Sequence, residues 1–336
     1  MDTGPSVVVA GGAGYIGSHM VRMLRDSGWH PIVIDNLATG HADAVAGATL
    51  KVGDIGDRDL VAAVLRKYQP RCVMHFAASS LVGESVAHPG RYWHNNLVQA
   101  LALLETMREE GVSRFIFSST AAVYGEPVRI PMDENHPRQP INPYGRSKLA
   151  VEHALEDFGR AHGLRATSLR YFNAAGAHPD ASLGERHEPE THLIPLVLQV
   201  ASGRRAHIAR YGSSHGTPDG SCVRDYVHVQ DLCTAHLLAL RKLEAGSSDA
   251  AQTLAYNLGN GQGHSVNEVI EAARRLTGHA IPVRDEPARA GDPPVLVADA
   301  SLAREELGWT PQYADLDTIV AHAWEWEQRL CQAVRP

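Results

Sequence analysis

The 336-residue chain carries 31 lysines and arginines against 38 aspartates and glutamates, a formal charge of -7 that leaves no basic footprint for nucleic acid or an anionic membrane surface. Its four cysteines, Cys72, Cys222, Cys233 and Cys331, stand far apart with no CxxC pair, which fits a reducing compartment and argues against a disulfide framework or a thiolate metal site. The N-terminus lacks a signal-peptide pattern and no apolar run is long enough to span a bilayer, so the expectation is a cytoplasmic protein.

In chain order, short β-branched runs alternate with stretches of helical spacing. Strands are expected at 6–10, 31–35, 71–76, 114–118 and 166–171, and helices open at Tyr15, Asp59, Asn95 and Tyr144, with Leu97, Leu101, Leu104 and Met107 marking the helical period. This alternation predicts an α/β fold, a Rossmann-type doubly wound parallel sheet. From 173 to about 220 the composition shifts to Gly, Pro, His and Asp, broken only by the helix-like run LIPLVLQVA, which marks a smaller C-terminal α/β domain. The stretch 245–252 reads as a surface loop. The expected division is 1–175 for the first domain, with return segments near 221–257, and 176–336 mainly for the second.

The first strand, SVVVA, runs into Gly11-Gly12-Ala13-Gly14-Tyr15-Ile16-Gly17 and then a helix. Gly11 allows the tight turn, Gly14 a close approach of backbone to a pyrophosphate, and Gly17 close helix packing. The helix behind them turns its free N–H groups and positive dipole end toward the phosphates. Asp35 ends the next strand, 24 residues after Gly11, where a carboxylate accepts from a ribose 2′-hydroxyl and repels a 2′-phosphate. The expected cofactor is therefore NAD.

A second constellation is Asn142-Pro143-Tyr144-Gly145-Arg146-Ser147-Lys148. Proline suits the first helical position, Asn142 the cap, and the spacing of four puts Tyr144 and Lys148 on one face. A nearby ammonium and the helix dipole are expected to favour the phenolate, making Tyr144 a usable acid and base. The hydrophobic strand from Arg114 ends in Ser118-Ser119-Thr120, and ligands in wound sheets gather beyond the carboxyl ends of strands. Thr120, Tyr144 and Lys148 together point to oxidation of an alcohol to a ketone, with hydride passing to a nicotinamide.

These residues resemble the extended short-chain dehydrogenase/reductase family and, within it, the UDP-glucose 4-epimerases (UDP-galactose 4-epimerases). The resemblance runs through GGAGYIGSH, DNLATGH, HFAA, VGESV, FIFSSTAAVYG, NPYGRSK, LRYFNAAGAHP, THLIP, DYVHVQDL, YNLG and RAGDPP and covers nearly the whole chain. It implies Thr120, Tyr144 and Lys148 as the catalytic triad. Around NAD it implies Gly11, Gly14, Tyr15, Ile16, Gly17, Asp35, Asn36, Leu37, Thr39, Gly40, Asp54, Ile55, Phe76, Ala77, Ala78, Asn95, Tyr144, Lys148 and Phe172. On the substrate side it implies Thr120, Asn173 toward the diphosphate, Arg224 and Arg289 as phosphate clamps, and Asp292 on the uridine ribose. His192, Leu193 and Tyr211 would line the nucleotide, and Leu296 the C2 substituent of the sugar.

The activity implied is interconversion of UDP-galactose and UDP-glucose in galactose metabolism, through a transient 4-keto sugar with NAD retained, in a homodimer paired through the helices from Asn95 and Tyr144. Ser80 stands where some members carry a lysine near the cofactor phosphates. Leu296 stands where some carry a tyrosine, so UDP-N-acetylhexosamines join UDP-pentoses (UDP-xylose and UDP-arabinose) as alternative substrates. A nucleotide-sugar dehydratase needs acidic residues after the threonine, where this chain has Ala121 and Ala122; a catalytically dead dinucleotide sensor would lack the triad.

Nineteen histidines raise the question of a metal. The densest group, His187 and His192 with Glu188 and Glu190, matches no zinc spacing, and no metal is expected. His75 reads as a satisfied interior residue, and Trp309, Trp324 and Trp326 as packing for the small domain.

Overall fold

A computed structural model describes residues 4–246, 253–289 and 293–334. The first part of the chain runs β1 (Ser6–Ala10), α1 (Tyr15–Asp26), β2 (His30–Asp35), β3 (Thr49–Val52), α2 (Arg58–Tyr68), β4 (Cys72–His75), α3 (Val82–Ala87), α4 (Pro89–Tyr92), α5 (Gln99–Glu109), β5 (Arg114–Thr120), α6 (Pro143–His162) and β6 (Arg165–Tyr171). The rest comprises β7 (Asn173–Ala175), α7 (Leu193–Ala201), β8 (Ile208–Tyr211), β9 (Val223–His228), α8 (Val229–Ala245), β10 (Thr253–Leu258), β11 (Gly263–Ser265), α9 (Val266–Thr277), β12 (Val283–Glu286), β13 (Val295–Leu296), α10 (Ser301–Leu307) and α11 (Leu316–Val334).

Seven strands form one parallel sheet in the order β10-β6-β5-β4-β1-β2-β3. Their valine, isoleucine and phenylalanine runs are buried on both faces, as a sheet covered twice by helices requires. One face carries Met20 and Leu24 of α1, Leu232 and Leu240 of α8 and Leu307 of α10. The other carries Val61 and Leu65 of α2, Leu103, Leu104 and Met107 of α5, and Val151 and Leu155 of α6. The chain leaves β1 toward β2 and β3, then returns to build β4, β5 and β6 on the opposite side. That reversal opens a crevice at the carboxyl ends of β1 and β4, where ligands bind in this architecture.

A four-stranded sheet (β11-β9-β13, with β7 beside β9) and the pair β12-β8 stand apart from it. Here α7, α9 and α11 share their own core, with Ile194, Val197, Val269, Ile270, Ile319 and Val320. A capping box between Ser265 and Glu268 opens α9, and Gly278, at φ 70°, closes it.

Trp324 packs against this smaller core, but Trp309 does not. It is fully buried in the cluster of α1, α8 and α10 and donates its indole N–H to the Asp231 carbonyl, so it anchors a helix of the large sheet. The helix expected from Asn95 is regular only from Gln99, because residues 93–98 form a π-helical turn. Most of the loop expected at 245–252 lies outside the described residues.

Candidate active site

Each glycine of the turn after β1 answers to a neighbour. Gly11 has φ +76°, and a Cβ there would lie 2.4 Å from the Ala77 nitrogen; one on Gly17 would lie 2.2 Å from the Gly11 carbonyl oxygen. A Cβ on Gly14 would meet only Gly11 O, at 3.5 Å, leaving its outer side clear for a ligand. Gly14 caps α1 with no side chain, and the first turn, which includes Ile16, has no acidic residue. The backbone donors of that turn and the dipole end are therefore left for an anion. Tyr15 contributes through its backbone only, since its buried phenol donates to Gly176 O at 2.6 Å.

Asp35 is 8 % exposed, and its carboxylate accepts from Ala13 N at 2.9 Å and Leu37 N at 2.8 Å. The second bond draws Leu37 into the left-handed region, φ 59°, a strain of the kind that persists where the surroundings over-determine the backbone. Two oxygens with one bond each keep acceptor capacity for a ribose. A Cβ on Gly40 would lie 2.9 Å from Asp35 Oδ1, and Asn36 donates to Asp54 at 2.7 Å, ahead of the buried Ile55. Thr39 joins Gly14 and Tyr15 around a cavity at the start of α1. Phe76 and Ala77 donate to Ala10 O at 2.7 and 3.1 Å, which brings the Phe76-Ala77-Ala78 segment beside Gly11. These residues fit NAD: bare backbone and uncapped N–H groups suit the pyrophosphate, and an anchored carboxylate suits the ribose.

β5 ends on Thr120, whose hydroxyl accepts from Ala122 N at 3.1 Å and caps the short turn 121–123. Opposite it, Asn142 caps α6 through Gly145 N at 2.9 Å, with Pro143 in the first turn. A Cβ on Gly145 would fall 2.3 Å from the Ala122 carbonyl oxygen, so only glycine lets the head of α6 rest against the end of β5. That contact brings Tyr144 to Thr120. Burial raises the Tyr144 phenol above its ordinary pKa, with the Thr120 hydroxyl pulling the other way.

Lys148 is buried, donates to Ser118 O at 2.8 Å and lies 4.7 Å from the centre of the Phe117 ring. Burial draws its ammonium down to about 7, opposed by the Glu152 charge. The expected lowering of the phenol by a lysine cation is thereby corrected. The ammonium donates to a carbonyl and is desolvated, and at the phenol burial outweighs the Thr120 hydroxyl.

Behind these groups lies a network that the motifs do not announce. Arg170 forms a two-pronged ion pair with Glu152, Nε to Oε1 at 2.9 Å and Nη2 to Oε2 at 2.6 Å, both residues being almost fully buried. Ser119 donates to Glu152 at 2.5 Å, Arg170 donates to the Tyr124 hydroxyl at 3.0 Å, and Tyr124 donates to Asn257 at 2.6 Å. Asn96 is a second omission. Beside the expected Asn95, which donates to it, Asn96 accepts from Ser79 N and donates to Ser79 O and Ser147, fastening the segment after β4 to α6.

Of the residues expected on the substrate side, Asn173, Tyr211, Arg224 and Leu296 lie on strands of the smaller sheets. β7 carries Asn173 and pairs Asn173 with Tyr226 of β9, and β13 pairs Leu296 with Arg224. Arg224 donates to Val223 O at 2.8 Å. Leu296 and Phe172 both pack against Ala121, Val123, Tyr124, Met132 and Leu149, the cluster next to Thr120. Arg289 lies 3.8 Å from the centre of the Tyr211 ring. His192 precedes Leu193, the first residue of α7. Asp292 lies outside the described residues.

His75 corrects a further expectation. It is buried between Phe115 and Phe117 as expected, but neither ring nitrogen has a hydrogen-bond partner, and burial lowers the imidazole to about 3, keeping it neutral.

Residues 7–259 match the model of the NAD dependent epimerase/dehydratase family. The chain is 53 % identical over 321 residues to a UDP-glucose 4-epimerase of Streptomyces lividans, covering 95 % of each chain. It is 50 % identical over 323 residues to one of Halalkalibacterium halodurans, covering 96 % of each. The crystal structure of UDP-glucose 4-epimerase from Brucella ovis in complex with NAD superposes with a TM-score of 0.92 at 48 % identity, over 95 % of this chain and 97 % of that one. With the glycine turn, the seven-stranded parallel sheet and the paired ends of β5 and α6, these likenesses show that the chain belongs to the NAD dependent epimerase/dehydratase family.

Proposed function

We propose that this protein is a UDP-glucose 4-epimerase that interconverts UDP-galactose and UDP-glucose through a transient 4-keto sugar, with NAD held throughout. The observation that carries the reading is the meeting of the Thr120 hydroxyl and the Tyr144 phenol, with Lys148 one turn further along α6, at the carboxyl edge of the cofactor-type sheet. NAD, held by the turn at Gly11, Gly14 and Gly17 and by Asp35, supplies the acceptor for the C4 hydrogen as hydride. Thr120 hydrogen-bonds the sugar O4, and Tyr144 takes the O4 proton on oxidation and returns it when the opposite face is reduced. Lys148 and Phe172 position the cofactor side of this exchange.

On the substrate side Asn173, Arg224 and Arg289 hold the diphosphate, Asp292 the uridine ribose, and His192, Leu193 and Tyr211 the nucleotide. Residues 1–175, with returns near 221–257, form the NAD half, and 176–336 mainly the sugar-nucleotide half. A separate core without any strand of the seven-stranded sheet supports two halves, while Tyr226 of β9 falls in that core and Leu307 and Trp309 fall in the core of the large sheet, against the bounds as drawn. We place the enzyme in cytoplasmic galactose metabolism and as a homodimer joined through the helices from Asn95 and Tyr144. Trp93, at 37 % exposure, and Val98, at 51 %, offer apolar surface on the segment leading into α5. No helix of the described residues is long and apolar enough to cross a membrane.

The second reading, epimerisation of UDP-N-acetylhexosamines, rests on Leu296 beside Phe172 and the Thr120 cluster, where a branched aliphatic side chain takes the place of a tyrosine. Ala121 and Ala122, which supply no acid for elimination, weigh against a dehydratase. The deciding experiment incubates purified protein, without added NAD, with a panel of UDP-sugars and follows C4 inversion by NMR. Inversion of UDP-galactose with no external NAD is expected. If no UDP-sugar is inverted even when NAD is supplied, the assignment falls.

A further inference from the structure

The loop between β7 and α7 brings together four side chains that the substrate reading does not use as a group. Glu185, His187, Glu190 and His192 each offer one donor atom, and these atoms all lie within 4.8 Å of one another. Both imidazoles present Nδ1 to the same carboxylate oxygen: His187 Nδ1 stands 3.0 Å from Glu185 Oε1, and His192 Nδ1 contacts that oxygen directly. His187 Nδ1 is also 3.8 Å from Glu190 Oε1. Glu188, the carboxylate that the sequence suggests, is not part of the group, and Glu185 takes its place.

The carboxylates are not solvated surface acids, since the Glu185 and Glu190 side chains are each 4 % exposed. Two buried negative charges this close need positive charge, and the cations that line the adjoining cavity are committed elsewhere. Arg186 pairs with Asp43 at 2.6 Å and Arg204 with Glu327 at 2.9 Å. Either two imidazolium protons or one dication with two neutral imidazoles can balance the group.

The donor set favours the second arrangement. Two imidazole nitrogens and two carboxylate oxygens within 4.8 Å of one another suit a borderline cation that takes four mixed ligands, whereas magnesium and calcium favour all-oxygen shells. The loop is also held before any ion arrives. Trp326 donates to Glu185 O at 2.8 Å, the Thr191 and His192 amides donate to Glu190 Oε1 at 2.7 and 2.9 Å, and the Tyr15 ring meets His187 edge-on. Such outer contacts orient ligands and raise affinity.

We propose that Glu185, His187, Glu190 and His192 form a structural zinc site that fastens the loop leading into α7. With four protein ligands the site is closed, so its role is to hold shape and not to activate water. It stands directly before Leu193 and so sets the start of α7 on the substrate side. His192 would then reach the nucleotide only by its backbone or the outer edge of its ring.

The test uses the full-length protein with its own cofactor, stripped of metal by chelation. Zinc is titrated in competition with a chromophoric chelator, cobalt(II) is added separately as a spectroscopic probe, and magnesium serves as control. One zinc per chain, intense cobalt d–d bands in the 500–650 nm region of tetrahedral sites, a higher melting temperature with zinc and no response to magnesium are expected. His187→Ala and Glu190→Gln should each weaken zinc affinity at least ~10-fold. Glu190→Gln keeps an acceptor for the two amides, and NAD content reports folding in both variants. Binding of less than half an equivalent at tens of micromolar zinc overturns the proposal, as does stoichiometric binding that neither variant weakens, which would place the metal on other histidines.

Discussion

The buried pair Glu152 and Arg170 makes the most quantitative prediction. In Glu152→Gln the guanidinium of Arg170 loses the balancing charge and one of its two acceptors at 2.9 and 2.6 Å, keeping a neutral amide oxygen and the Tyr124 hydroxyl. Both residues are 3 % exposed or less, so water does not replace what is lost. Removing one partner of such a pair costs about 3–5 kcal/mol, mostly the penalty of leaving the other charge buried. With an unfolding entropy of roughly 2.1 cal/mol/K per residue, the whole chain gives about 0.7 kcal/mol/K, and the melting temperature should fall by roughly 4–7 °C. Arg170→Met should behave alike, while Glu152→Gln with Arg170→Met together should cost clearly less than the two singles added. Calorimetry on all four proteins, at equal NAD occupancy, makes the comparison. Single variants melting within ~1 °C of the parent, or a double variant costing the full sum, would refute the desolvated, coupled pair that the geometry describes.

Four further outcomes are expected. Gly145→Ala places a Cβ 2.3 Å from Ala122 O and must push the head of α6 off β5; kcat should drop at least ~100-fold by displacement of Tyr144, with NAD content near normal, and an unchanged kcat would remove the packing argument. For Lys148, held near 7 in the fold against ~10.4 unfolded, the unfolded chain binds the extra proton between those values, so stability of the NAD-free protein should rise with pH across that window. Lys148→Met should flatten the rise, and a parallel rise in the variant would assign it elsewhere. Leu296→Tyr should lower kcat/KM for UDP-N-acetylhexosamines relative to UDP-galactose by at least ~10-fold, and an unaltered ratio would acquit Leu296 as the gate. Asp35→Asn should narrow the preference for NAD over NADP measured by equilibrium binding; a preference that survives intact must come from another group.

What the sequence disclosed, and what it hid, divides by the range of the interaction. The glycine turn, the cap at Asn142 and the proline at the first position of α6 work through neighbours a few residues away, so spacing alone exposes them. The seventh strand shows the opposite case. β10 pairs with β6 through Thr253 and Ala166, residues separated by the stretch that builds β7, α7, β8, β9 and α8, and a six-residue strand carries no mark of the partner it will meet. Trp309 was misplaced for the same reason. Its position near the C-terminus suggested the smaller core, but α10 turns back onto α8 and the indole finds the Asp231 carbonyl.

The pKa expectation at Tyr144 failed for a different physical reason. Spacing put Lys148 on the correct face, yet a shared face does not fix where an ammonium points, and here it points at Ser118 O. Desolvation, which no motif encodes, then decides the sign for both groups: it lifts the phenol and lowers the amine. Glu152 alone opposes that trend at Lys148, and Glu152 is itself held by Arg170 and Ser119. The motif names the two groups, while desolvation sets the direction of both shifts and the Glu152 charge, one turn further along α6, opposes it at Lys148. Substitutions at Glu152 should therefore change the lysine's charge state as well as the fold's stability.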